Sequence, residues 1–165
     1  MITISPNSES DFKTIISIAE IVWPVTYGAI LASDQLHFMF EMMYSVASLQ
    51  QQATSKNHHF IIAYEHGVPC GFASFEHNCE SSNKTKVHKI YILPTLQGKG
   101  IGKKMIEVVS TEALRKRENA IFLNVNRYNS AKLFYQKIGF IVTKEIDIEI
   151  GNGYLMEDYV MEMII

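Results

Sequence analysis

Cysteine is scarce, with only Cys70 and Cys79 in 165 residues. Two thiols cannot build the framework that staples small secreted domains, so the fold must rest on an apolar core. A reduced, cytoplasmic setting is expected, and one Cys70–Cys79 bridge is the most the chain allows. Charge of one sign is also lacking: 15 Lys and Arg stand against 17 Asp and Glu, a net −2. That balance gives no basic face, so nucleic acid is not an expected partner. No apolar run reaches membrane-spanning length, and the N-terminus lacks a signal-peptide layout, so no membrane partner is expected either. The six histidines are scattered without zinc spacing, and the adjacent His58 and His59 must point to opposite sides of a strand. No metal is expected. Linkers, repeats and low-complexity stretches are missing, so residues 1–165 read as one domain long enough to bury a sizeable core.

The most informative stretch runs from His88 to Ile101 and on through Gly102-Lys103-Lys104. Val87, Ile90, Tyr91, Ile92 and Leu93 suit a buried strand. Pro94 cannot donate to a sheet ladder and should end it. Gly98, Gly100 and Gly102 then alternate ahead of a helix. Glycine lets backbone N–H groups approach a ligand closely, and the free N–H groups of a helix start favour an anion. The stretch reads as a cradle for a phosphate or pyrophosphate. A P-loop needs a first Gly where Gln97 stands and a Ser or Thr where Lys104 stands, so that spacing fails. A dinucleotide fingerprint needs its third Gly at Lys103 and an acid after a second strand, so it is weak.

Gln97-Gly98-Lys99-Gly100-Ile101-Gly102, preceded by an apolar strand ending in Pro, resembles the acetyl-CoA signature of the GNAT superfamily of N-acetyltransferases. A second match follows at Asn129-Ser130-Ala131-Lys132-Leu133-Phe134-Tyr135-Gln136-Lys137-Ile138-Gly139-Phe140. This is similar to the superfamily's Asn…Ala…Leu/Phe-Tyr…Gly-Phe helix. The two matches cover roughly residues 60 to 145.

In chain order, Met1 to Ser5 alternates as a short strand would. Ser8 can cap a helix from Asp11 to Val22, with Phe12, Ile15, Ile16, Ala19 and Val22 or Trp23 as its inner stripe and Pro24 following it. Ser33-Asp34 starts a second helix through Leu36, Met39, Phe40 and Met43. Ser45 caps a third, through Leu49 to about Ala53. Phe60 to Glu65 and Val68 to His77 form a hairpin about His66-Gly67, and Asn78 to Lys86 is a polar loop. The helix after the glycines runs to about Arg117, with Ile101, Met105, Val108, Val109, Glu112 and Ala113 inward. Ile121 to Val125 is a strand, Ser130 to Ile138 a helix closed by Gly139. Phe140 to Ile150 and Tyr154 to Ile165 are strands joined at Gly151-Asn152-Gly153. The fold class is α+β, or mixed α/β. The order β-α-α-β-β-β-α-β-α-β-β resembles the GNAT arrangement, a central, largely antiparallel sheet flanked by helices. The last strands offer a homodimer surface.

The resemblance implies an N-acetyltransferase that moves an acetyl group from acetyl-CoA to a small-molecule amine by direct transfer in a ternary complex. The wording around Tyr91 looks most like small-molecule or polyamine enzymes of bacteria. A protein N-terminal or lysine acetyltransferase and a non-catalytic acyl-CoA sensor are the alternatives. By resemblance, the cofactor contacts are Tyr91, Ile92, Leu93, Gln97, Gly98, Lys99, Gly100, Ile101, Gly102, Lys103 and Asn129, with Asn126 the alternative to Asn129. Tyr135 matches the Tyr that protonates the leaving thiolate. Trp23, Tyr27 and Tyr44 border the acceptor, in a Met- and aromatic-rich segment that also suits core packing. Many family members carry a Glu base where Lys86 stands here. The base candidates are therefore His88, Glu76 and His77, or a water chain. His88 is expected on the strand face of Ile90 and Ile92, and the ordinary pKa of imidazole suits base work.

Overall fold

In the computed structural model, residues 1–6 and 11–165 are described. The proposed Ser8 cap lies outside them. Strand β1 (Ile2–Pro6) leads to helices α1 (Phe12–Tyr27), α2 (Ser33–Tyr44) and α3 (Val46–Thr54). Then come β2 (His59–Glu65), β3 (Val68–Glu76), β4 (Thr85–Ile92), α4 (Ile101–Arg115), β5 (Ala120–Asn126), α5 (Ala131–Lys137), β6 (Ile141–Gly151) and β7 (Tyr154–Ile164). The strands form one seven-stranded sheet in the order β1-β2-β3-β4-β5-β7-β6. Every neighbouring pair is antiparallel except β4 with β5. The third helix expected after Ser45 forms, so three helices precede β2, one more than the expected order counts. Ser45 Oγ accepts from Ser48 N at 3.1 Å, the N-cap bond that residue type favours.

Helices cover both sheet faces, and each covers its own core. On one face α4 and α5 bury Ile101, Met105, Ile106, Val109, Ala113 and Tyr135 against Ile61, Ala73, Phe75, Val87, Ile121 and Leu123. On the other, α1 to α3 bury Phe12, Ile15, Ala19, Trp23, Met39, Tyr44 and Leu49 against Phe60, Ile62 and Phe72. Each large apolar side chain buried this way contributes roughly 1.5–3 kcal/mol. Two expectations for the helices need correction. In α4, Ile106 is buried, while Glu112 turns out to Arg115 at 2.6 Å. In α1, Pro24 does not follow the helix but sits inside it. Its missing N–H would have bonded the Glu20 carbonyl, and Glu20 and Pro24 are both exposed, so water can serve that carbonyl. The helix therefore runs on to Tyr27. Cys70 and Cys79 are free, buried thiols rather than a bridge.

The end of the sheet where β3 and β4 meet β5 is locked by one carboxylate. Glu118, 4% exposed, accepts from Asn78 N at 2.6 Å, from the Thr85 hydroxyl, and meets His77 Nδ1 at 3.2 Å. Glu118→Ala takes the acceptor from the buried Thr85 hydroxyl and from the more exposed Asn78 N–H and His77, and is expected to cost about 2 kcal/mol of stability. Urea denaturation checks this; a loss under about 1 kcal/mol would show that water takes over the acceptor's place.

Candidate active site

The parallel pairing of β4 with β5 covers only Thr85–Ile121, Lys86–Phe122 and Val87–Leu123. Beyond Val87 the two strands separate, although β4 continues to Ile92 beside β3 and β5 to Asn126 beside β7. A wedge opens between them. The β4 backbone groups that point away from β3 have no strand to pair with there.

At the start of the wedge β4 carries a bulge. Ser74 pairs with Lys89 and Phe75 with Val87, so His88 has no partner in β3. One extra residue reverses the alternation of side chains past that point. This corrects the expected position of His88. It does not share a face with Ile90 and Ile92, which pack on the α4 core. It lies on the helical face of α1 to α3 instead, stacked on His58 with ring centroids 3.9 Å apart.

Pro94 begins a short 3₁₀ turn, Pro94–Leu96, and the glycine loop follows. Gly98 and Gly100 have φ of +80° and +79°, a conformation other residues rarely adopt, and a Cβ on either would meet nothing within 4 Å. Their open side is the room a bound anion needs. No side chain caps α4, so the N–H groups of its first turn face this loop. Gly102 has a different task. A Cβ there would come within 3.0 Å of Phe134 Cζ and 3.2 Å of Ile92 Cδ1, so glycine lets α4 approach α5 and β4. Lys99 is bound to Glu65 at 3.1 Å, and Lys103 lies 3.9 Å from Glu107; both lysines are exposed. Gln97 is exposed and its amide donates to Ile92 O at 3.3 Å.

Tyr135 of α5 is buried beside Phe134 and Phe140. Burial, reinforced by Tyr27, pushes its phenol well above the usual range, so it keeps its proton. Tyr27 comes from the other face, its hydroxyl 3.1 Å from that of Tyr91. The Asn129 side chain also bears on Tyr27. Asn129 Oδ1 accepts from Ala131 N and Asn126 Oδ1 from Tyr128 N, so both asparagines shape the turn into α5. Trp23 and Tyr44 stand behind Tyr27, fully buried and joined by a 3.0 Å bond from Trp23 Nε1 to the Tyr44 hydroxyl. Of the three expected acceptor residues, Tyr27 and Tyr44 both bear on Tyr91 with their hydroxyls, and Trp23 reaches it only through its ring.

The base candidates separate. His77 belongs to the Glu118 lock at the far end of the sheet. His88 and Glu76 come together, with Nε2 2.8 Å from Oε2. His58, which the sequence reading missed as a partner, joins them: the ligand atoms of His58, Glu76 and His88 all lie within 4.8 Å of one another. Two imidazoles and a carboxylate are a donor set that suits a divalent ion. Lys56, Lys86 and Lys89 surround the two histidines, however, and oppose positive charge there. Burial is the larger influence, and together these hold His58 at a pKa of about 4 and His88 at about 2. The ordinary pKa of imidazole, which recommended His88 as a base, does not carry over to this position. Lys89 is buried against Gln52, and burial brings its pKa down to about 8. His59 turns to the opposite face, toward Phe75 and His77, as expected of neighbours in a strand.

The acetyltransferase (GNAT) domain model matches residues 29–163. The chain belongs to the GNAT family. It is 29% identical over 97 residues to the L-amino acid N-acyltransferase MnaT of Escherichia coli (strain K12), across 57% of this chain and 56% of that protein. It thus spans little more than half of MnaT's length. With the spermidine N(1)-acetyltransferase of Thermoplasma acidophilum it shares 26% identity over 157 residues, 91% of this chain and 92% of the relative. The crystal structure of the PaiA N-acetyltransferase from the same organism, in complex with coenzyme A, matches with a TM-score of 0.82 and 26% identity, covering 100% and 99% of the two chains. Among the described residues, no helix is long and apolar enough to cross a membrane.

The histidine pair makes stability of this GNAT protein pH-dependent. Folded pKa values near 4 and 2 lie below the unfolded value of 6.5, so the unfolded state binds more protons as pH falls through that window. Stability is full above about pH 6.5 and is lost on acidification. His58→Gln should flatten the fall between pH 7 and 4 by on the order of 2 kcal/mol. Thermal melts of both proteins across that range measure it, and parallel curves would refute it.

Proposed function

We propose that the protein transfers an acetyl group from acetyl-CoA to a primary amine, directly and within a ternary complex. The observation that carries this reading is the wedge. It joins unpaired β4 backbone, a glycine loop at its mouth and a protonated tyrosine at its side. Acetyl-CoA supplies an activated thioester. The loop from Gly98 to Lys103 offers backbone N–H groups to a pyrophosphate, and the open side of Gly98 and Gly100 fits that group. The β4 edge beyond Val87 offers N–H and C=O groups in register for an extended amide chain, and an N–H at Tyr91 to Leu93 can polarise a carbonyl. Tyr135 holds the proton that a leaving thiolate takes up. The amine approaches from the face of α1 to α3, where Tyr27 and Tyr91 meet. The relatives named for spermidine and for amino acids support an amine acceptor, as does the coenzyme A complex of the structural neighbour for the donor. The Glu76–His88 pair lies on the same face as the acceptor approach, and its hydrogen bond orients Glu76 toward that side.

Acetyl-CoA and CoA should each raise the melting temperature, and NAD should not. Stabilisation by NAD alone would overturn the reading. With spermidine, free L-methionine and an alanine-initiated peptide as acceptors, at least one should be acetylated. Tyr135→Phe should then lower kcat about 10²-fold or more while leaving the acetyl-CoA-induced shift in place. Unchanged turnover removes Tyr135 from the proton transfer. Stabilisation by acetyl-CoA without turnover on any amine would favour a sensor.

A further inference from the structure

Beside the wedge, on the face of α1 to α3, one carboxylate is left over. Asp158 of β7 is 5% exposed. It lies opposite Asn126 of β5 and Ile146 of β6. Its Oδ1 is buried and has no hydrogen-bond partner. A buried charged oxygen without a donor is costly, more so than a neutral one. A proton or a cationic partner offsets that cost.

The surroundings supply a partner only in part. Asn124 bears on the carboxylate and favours its charged form, but burial outweighs this and raises the pKa above the usual carboxylate value. Lys86 and Arg127 attract it from a distance. Lys86 Nζ lies over the Phe122 ring, 5.7 Å from its centroid. Arg127 is bound to Asp147 and lies 3.8 Å from Glu145. Those two residues alternate with Ile146, so they occupy the opposite face of β6 from the side that Asp158 shares with Ile146. From α1, Tyr27 feels the charge of Asp158. Tyr27 in turn bears on Tyr135 across the wedge.

We propose that Asp158 receives the cationic nitrogen of the acceptor and selects for primary amines that are charged in solution. The proposal rests on the reading that the protein acetylates amines, and it names the group that recognises them. An ammonium brings three N–H donors on a positive charge, which complements an unpaired oxygen on a negative one. The aromatic rings of Trp23, Tyr27 and Tyr91 stand together on the same face, 4.7 Å and 6.2 Å apart from Trp23 to each tyrosine, and ring faces attract cations. The placement also suits direct transfer. Asp158 is on the α1 to α3 face, whereas Tyr135 and the helix behind the glycine loop are on the other. An amine held by Asp158 gives one ammonium proton to that carboxylate to free its lone pair, and it and a thioester held along β4 therefore reach the wedge from opposite sides.

The test compares the unmutated protein with Asp158→Asn, using spermidine and an alanine-initiated peptide as acceptors. The amine KM should rise about tenfold or more, the size expected for a lost charge-assisted hydrogen bond, while the acetyl-CoA KM stays within about twofold. The melting temperature without amine should hold or rise, because an uncompensated buried charge is gone. A merely structural Asp158 would instead lower the melting temperature and raise both KM values. If the variant turns over too slowly for kinetics, calorimetric titration of spermidine reads the same loss of affinity. Should Asp158→Asn fail to fold, Asp158→Glu keeps the charge but displaces it, and must still raise the amine KM selectively. An unchanged amine KM in a protein that acetylates either probe overturns this inference and leaves the acetyltransferase reading standing. Failure of the unmutated protein to acetylate any amine overturns both.

Discussion

Everything in the site depends on where two parallel strands stop pairing. β4 and β5 hold each other from Thr85 to Val87 and then part. In an unbroken sheet, every backbone group of β4 would be consumed by a neighbour. Here one edge of a central strand is left open within the protein, flanked by strands that remain paired on their outer sides. The bulge at His88 starts the divergence and increases local twist. The same bulge puts His88 and Lys89 together on the helical face, which a regular strand could not do. The parting of β4 from β5 thus creates the space, and the bulge decides which side chains look into it.

The cofactor half was legible in the sequence because its requirements fall on residue types. A loop whose backbone must turn with positive φ and leave room for a ligand demands glycines, and a strand that must stop demands a proline. Gly98, Gly100 and Pro94 announce themselves. Gly139, with φ of +112°, likewise marks the end of α5. What stayed hidden depends on register. Counting by twos put His88 with Ile90, and only the pairing of β3 with β4 reveals the inserted residue. His58 lies thirty positions before His88 in the chain, and nothing local links them. Asp158 was one more acid in a strand that also carries Glu157 and Glu162; its burial follows from the position of β7 between β5 and β6. Pro24 misled for the converse reason. A proline is a sound stop signal, but the last turn of a helix on an exposed side can absorb it.

The face of α1 to α3 holds two polar groups of opposite need. His58, Glu76 and His88 sit among three lysines, where burial and neighbouring charge both favour neutral imidazole. Asp158 is drawn toward Lys86 and Arg127, whose end groups lie over Phe122 and against Asp147. The first group is internally satisfied apart from His58 Nδ1; the second has an oxygen with no donor. Proteins rarely leave buried polar atoms in that state, and such exceptions concentrate at functional sites.

The contact at Gly102 has a mechanical meaning. Phe134 stands next to Tyr135 on α5, and its ring tip fills the space a side chain at Gly102 would occupy on α4. The ring works as a spacer between the helix that starts at the glycine loop and the helix that carries Tyr135. Ile92 closes the same contact from β4. Interiors pack too densely for such a spacer to compress. The glycine loop and the Tyr135 phenol are therefore spaced by one packed contact rather than by the flexible turns between them.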